Sequence, residues 1–226
     1  MKTIRALRQL ALLSALALVT ACSTTGKDSR TGLSETELVE SGRQALAKER
    51  FARASDLFEE AISVYPYGEF AEQSKLDLAY AYYGNGDFEK AIDSVNLFLR
   101  THPNSRFTAY ALYIRGLSNY DYGKTGLLEK WFPRDLSQRD TETLIAAAKD
   151  FATIVEKFNN TEYAPDAEKR LKYLLDQQVK HEIEVAKLSI SRGQLDGARA
   201  RLQRVMTARP DNKYAAEIQQ LLSSLP

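Results

Sequence analysis

A single cysteine, Cys22, stands in 226 residues, so neither an internal disulfide nor a cysteine-based metal site is available. Histidine occurs twice, at His102 and His181, with no cysteine or second histidine at ligand spacing, so no metal is expected. Proline is scarce at 6, and Trp131 is the only tryptophan. Neither sign of charge dominates, with 31 Lys plus Arg against 30 Asp plus Glu. A near-neutral chain has no electrostatic footprint for nucleic acid and no polybasic patch for acidic lipids. Catalytic signatures are missing as well. There is no GxSxG, no P-loop and no GxGxxG. Carboxylates follow solvated helix faces, as in Glu59-Glu60 and Glu182-Glu184, and no pair stands out in an apolar setting. The expectation is a protein without catalytic residues and without cofactors other than a covalent lipid.

What is there begins with an address. Lys2, Arg5 and Arg8 form a positive start, and an apolar stretch from Leu10 to Val19 follows, too short to span a bilayer comfortably. It ends Val19-Thr20-Ala21-Cys22, small residues before a cysteine, the pattern a lipoprotein signal peptidase needs. Residues 1–21 then read as a lipoprotein signal peptide and Cys22 as the lipid attachment site, carrying N-palmitoyl and S-diacylglycerol groups. More than one acyl chain meets the requirement for stable anchoring. An ordinary signal peptide with a chance cysteine is the alternative. Ser23 after the cysteine favours the outer membrane over inner-membrane retention. Residues 22–33, small and polar, form a lipidated flexible tether that leaves the body on the periplasmic face.

The body repeats. Small residues at helix crossings, an aromatic or aliphatic wedge and a closing proline are the marks of tetratricopeptide helix pairs. Gly42, Ala54, Phe58, Ala61 and Pro66 carry them first, after a capping box of Ser34 and Glu37. Ala79, Ala91, Val95, Phe98 and Pro103 carry them again 37 residues on, around the turn Asn85-Gly86-Asp87. Gly116 pairs with Ala147, Phe151 and Ile154 in the third repeat, across an insertion. Ala186, Ala198, Leu202, Val205 and Pro210 make the fourth, whose first helix is extended at its front by about four turns and is expected to protrude from the stack. The pattern predicts an all-α, tetratricopeptide-like superhelical solenoid of about four helix pairs plus a capping helix. The repeats span about 34–68, 69–107, 108–163 with an insertion at 123–139, and 164–212, and the cap covers 213–225.

First helices line the concave side of such a stack. Counting one and four places past each crossing residue puts Arg43 and Leu46, Tyr80 and Tyr83, and Leu117 and Tyr120 on that side, with Tyr113 and Tyr110 one and two turns back. Tyrosine offers area, rigidity and a hydroxyl, which suits a groove for an extended peptide with aromatic side chains and a free carboxylate. Plain packing of these rings between helices is the other reading. The insertion carries Leu127, Leu128, Trp131 and Phe132, apolar area that calls for a partner or for folding back over the groove.

Several segments resemble the BamD family, the lipoproteins of the β-barrel assembly machinery. These are Tyr65-Pro66-Tyr67-Gly68, the run Leu76-Asp77-Leu78-Ala79-Tyr80-Ala81-Tyr82-Tyr83, His102-Pro103-Asn104 and Tyr113-Ile114-Arg115-Gly116-Leu117-Ser118-Asn119. The insertion ending Trp131-Phe132-Pro133-Arg134-Asp135-Leu136-Ser137-Gln138-Arg139-Asp140 and the run Asp166-Ala167-Glu168-Lys169-Arg170-Leu171 belong to the same likeness. The resemblance implies an outer-membrane scaffold for assembling β-barrel proteins. Its implied partners are a barrel insertase with periplasmic POTRA domains, other lipoproteins of the assembly complex, and unfolded outer-membrane proteins received in the N-terminal groove. It also implies that Arg201 faces the insertase. Two other readings are a pilotin-type repeat lipoprotein, which would have repeats closer to 34 residues, and a cell-wall enzyme on a helical solenoid.

Overall fold

The computed structural model describes residues 32–122 and 141–226. The signal segment, Cys22, most of the tether and the 123–139 insertion with Trp131 and Phe132 lie outside the described residues. Among the described residues the elements are α1 (Glu35–Ala47), α2 (Phe51–Val64), α3 (Ala71–Asn85), α4 (Phe88–Thr101), α5 (Thr108–Asp121), α6 (Thr141–Lys157), α7 (Ala164–Ser191), α8 (Leu195–Ala208) and α9 (Ala215–Ser224). Each helix packs on the next in the chain, and α3 also touches α1 and α5. That is a stack of antiparallel helix pairs, α1/α2, α3/α4, α5/α6 and α7/α8, closed by α9.

The start of the stack follows from local chemistry. Ser34 Oγ accepts the Glu37 amide at 3.3 Å, and Glu37 Oε2 accepts the Ser34 amide at 2.9 Å, so two of the free N-terminal amides of α1 are satisfied reciprocally. Within each pair a small residue admits a large one. A Cβ on Gly42 would stand 2.7 Å from the Phe58 ring, and a Cβ on Gly116 the same distance from Phe151. Ala79 with Phe98, and Ala186 with Leu202, fill the corresponding places in their own cores. Gly86 ends α3 in the left-handed region at φ 83°, where a side chain would be strained.

The loops between pairs repeat as faithfully as the helices. In all four, the amide of the first helical residue bonds to the carbonyl three residues back: Ala71 to Gly68, Thr108 to Ser105, Ala164 to Thr161, Ala215 to Asn212. The residue just before the helix is aromatic each time: Phe70, Phe107, Tyr163, Tyr214. An aromatic ring cannot cap a helix, so the free amides find other acceptors. Ser105 Oγ takes the Phe107 amide at 3.0 Å and Asn212 Oδ1 takes that of Tyr214 at 2.8 Å. At α3 the acceptor is Glu35 of the preceding pair, which receives the amides of Glu69 at 3.0 Å and Phe70 at 2.9 Å. A Cβ on Gly68 would fall on that carboxylate, which explains the glycine in Tyr65-Pro66-Tyr67-Gly68. Tyr65 adds a bond from its hydroxyl to the Leu33 carbonyl, 2.9 Å away.

One expectation is corrected. The front of α7 does not protrude. Ala164, Ala167 and Leu174 are buried against Phe151 and Ile154, while Val179, Ile183 and Ala186 are buried against Ala198, Leu202 and Ile218. The helix is long because it serves two successive cores, its front half completing the third pair and its rear half opening the fourth. At the far end α9 buries Ile218 in the last core, and Arg199 donates to the Leu225 carbonyl.

Candidate functional site

The first helices of successive pairs, α1, α3, α5 and the front of α7, present a common face, and most of the tyrosines singled out in the sequence meet there. Tyr80 and Tyr83 stand 5.9 Å apart on α3. Tyr110 and Tyr113 of α5 both contact Tyr163 at the head of α7, at 5.4 and 5.1 Å. Tyr120 meets Tyr173 edge to face at 6.4 Å, and the Arg170 guanidinium lies 5.2 Å from the Tyr120 ring. Tyr80, Tyr83, Tyr110, Tyr113, Tyr120 and Tyr163 are partly buried and pack against the cores, while Tyr173 is exposed.

Leu117 does not belong with them. At 4% exposure it is part of the core that holds Phe151, because its side of α5 turns toward α6. Leu46 packs against the first core, the one that holds Leu38 and Phe58, and not against the cores the tyrosines flank. Arg43 reaches the face differently from a solvated arginine: its Nε is 3.3 Å from Asp77 Oδ2, and its guanidinium is 5.7 Å from the Phe70 ring. Tyr82, on the other side of α3, donates to Glu59 at 2.6 Å.

The carboxylates holding this face together are what the sequence did not disclose. Asp77, 6% exposed, is paired with Arg43, and Tyr110 lies close enough to interact with it electrostatically; burial raises its pKa and Arg43 opposes the shift. Tyr83 donates to Asp121 at 2.7 Å and Tyr113 to Asp166 at 2.8 Å, and Arg170 also donates to Asp166. Each link crosses from one first helix to the next, α1 to α3, α3 to α5 and α5 to α7. Burial, followed by hydrogen bonding to Asp166 and Glu162, lifts Tyr113 and Tyr163 to about 12; burial, followed by the negative charges of Asp121 and Asp77, lifts Tyr83 and Tyr110 higher still. These tyrosines are therefore neutral donors at any physiological pH.

A second buried acid, Asp150 at 3% exposure, is gripped by Arg115 through both oxygens at 2.9 and 2.7 Å, and Arg115 also donates to Asn96 at 2.7 Å. A signal for it exists: Asp150 lies three residues past Ala147, as Leu57 lies three past Ala54, so a charge occupies a core register.

Arg201, on α8, is paired with Glu182 of α7 and borders a cleft of about 270 Å³ with Gln178, Val179, Arg204 and Val205. His102 stacks on Phe98 at 4.9 Å beside the end of α4, a packing role. Among the described residues no cluster of acids, histidines or cysteines is arranged to hold a metal, and no helix is long and apolar enough to cross a membrane.

Comparison with known proteins covers the whole stack. The family model described as YfiO, outer membrane lipoprotein, matches residues 32–224. The outer membrane protein assembly factor BamD of Xylella fastidiosa strain Temecula1 is 31% identical over 204 residues, covering 90% of this chain and 69% of that protein. The BamD of Neisseria meningitidis serogroup B is 33% identical over 204 residues, covering 88% and 76% respectively. That of Haemophilus influenzae is 31% identical over 213 residues, covering 94% and 80%.

Proposed function

Given that the chain belongs to the YfiO family of outer membrane lipoproteins, we propose that it is a non-enzymatic factor for assembling outer-membrane proteins. In this reading it scaffolds a β-barrel insertase with POTRA domains, sits beside other lipoproteins of the complex, and receives unfolded outer-membrane proteins. Cys22 carries the lipid that holds it to the periplasmic face of the outer membrane.

The observation that carries the reading is the extent of the family match, which runs through every helix pair and the closing helix. The physical arrangement supports the division of labour. A half-buried aromatic face on the first helices suits an extended, weakly structured guest, because rings provide contact area with little entropy to lose. The rear of α7 with α8 forms a separate core, and Arg201 borders its cleft. That end suits a folded partner domain.

The test is a pull-down from detergent-solubilised membranes with the full-length protein tagged at its C-terminus. A stoichiometric β-barrel protein with soluble periplasmic domains supports the reading. A secretin in its place would move the protein to the pilotin-type alternative.

A further inference from the structure

Among the described residues six large hydrophobics are exposed, and three of them, Val64, Tyr67 and Leu97, lie at one end of the first two helix pairs. Val64 closes α2, Tyr67 is in the loop that follows it, and Leu97 stands one turn before the end of α4. At the same end Ile62, Leu78, Leu97 and Phe98 wall a cleft of about 300 Å³. Tyr67 is the extreme case, at 98% exposure. Its loop is nonetheless held in place. The Tyr65 hydroxyl donates to the Leu33 carbonyl, and Glu35 receives the amides of Glu69 and Phe70. A firmly seated loop thus carries a ring that stands clear of the body.

The bond from Tyr65 also fixes where the chain enters. Leu33 packs on the first core and is tied to the residue two before Tyr67. Residues 23–32 separate Leu33 from Cys22, a stretch that spans at most about 40 Å. A lipid on Cys22 therefore brings this end of the body to a bilayer before any other. A surface held on such a tether meets the bilayer at high effective concentration, so a contact too weak to form between separate partners becomes populated. Lys75 and Arg106 stand here among Glu37, Glu69 and Glu72, so no basic patch forms for anionic lipid. What this end offers a bilayer is apolar area and a tyrosine, whose apolar ring and polar tip suit the headgroup level.

We propose that the α2–α3 loop is a membrane-contacting corner: Tyr67 enters the headgroup region of the leaflet that holds the Cys22 lipid, Val64 and Leu97 add apolar area at the same end, and the contact sets the orientation of the stack on the membrane. This rests on the reading of Cys22 as the lipid attachment site. The lipid supplies the attachment and the corner supplies the direction. Because rings and aliphatic side chains make the contact, it forms on zwitterionic lipid and is insensitive to salt.

The experiment uses the full lipidated chain in vesicles. Lipidation converts the Cys22 thiol to a thioether, so one introduced cysteine is the only free thiol. Bimane is attached through Ser63→Cys, exposed near the corner, or through Gln203→Cys, exposed on α8. The vesicles are phosphatidylcholine, with about a tenth of the lipids carrying a nitroxide at the headgroup, the level assigned to Tyr67. Quenching at position 63 should exceed that at 203 by about twofold or more, and about 0.5 M salt or added phosphatidylglycerol should leave the excess unchanged. Tyr67→Ser should remove most of the excess while helical circular dichroism stays the same, since the ring is exposed. Equal quenching at the two positions, with the protein still on the vesicles, overturns the proposal, leaves the lipid attachment standing and returns Tyr67 to a protein partner. An excess at position 63 that Tyr67→Ser leaves intact overturns it as well, because the tether alone then brings the corner near. Protein that washes off the vesicles overturns the lipid reading and the corner together.

Discussion

The Phe151 ring occupies the space that a side chain on Gly116 would need, approaching to 2.7 Å of the missing Cβ, and Phe58 stands in the same relation to Gly42. Both rings are fully buried, so neither can swing aside. A chemical rule, small against large at each crossing, is thereby turned into a fixed interhelical distance, and the distance sets how successive first helices come side by side.

Gly116→Ala should therefore lower stability by about 1–3 kcal/mol, the cost of overpacking a filled core. Adding Phe151→Leu should restore part of the loss, so the two changes are non-additive in denaturant titration. Gly197, in the first turn of α8, has open space where its Cβ would go, and Gly197→Ala should instead raise stability by about 0.5–1 kcal/mol. Equal effects from the two alanines would show that the crossing at Gly116 is not tight.

Asp150→Ala leaves Arg115 without its two-oxygen partner inside the third pair. The expected loss is about 3 kcal/mol, the low end for breaking a buried pair, because Arg115 keeps a quarter of its side chain exposed. The double change Asp150→Leu with Arg115→Met should be far milder, since it removes both charges and keeps the volume. Thermal denaturation of the four proteins in the cycle gives the coupling directly.

Glu35→Ala removes the acceptor for two amides at the head of α3. The loss should be about 1 kcal/mol, that of a helix cap. It should also appear locally as faster hydrogen exchange at Glu69 and Phe70, with the amides of α8 unchanged.

Alkali should unfold the protein through its tyrosines. Tyr113 and Tyr163 keep their protons up to about 12 in the folded chain, whereas the unfolded chain releases them near 10. The folded state binds more protons in that window, so stability is intact below pH ~10 and falls as pH rises through about 12. Tyrosinate absorbance and helical circular dichroism should change together there for these residues. Ionisation well before loss of helix would contradict the burial assigned to them.

Much of this was legible in the sequence because it is periodic. The crossing residues, the turn at Gly86 and the Ser34–Glu37 box are local patterns, and each is found where its spacing puts it. Asp77, Asp166 and Arg170 were not legible as a network, because each partner lies on another helix and no local spacing encodes the pairing. Leu117 was misplaced because counting from Gly116 fixes a rotation about the helix axis but not which neighbour lies on that side; α6 covers it. The length of α7 was visible, yet its use was not. An unbroken helix looks like an extension until its two buried stretches, Ala164 to Leu174 and Val179 to Ala186, are seen to face different cores. The aromatic residue before each first helix was missed because it runs against the usual preference for a polar cap.

The assembly role itself is tested most directly by placing the gene under a repressible promoter in its own organism and following the envelope as the protein is depleted. Folded β-barrel proteins should fall in the outer membrane while soluble periplasmic proteins hold their level, and Cys22→Ala should fail to restore the barrels. Barrel proteins that keep their level and their folded state after depletion would contradict the account.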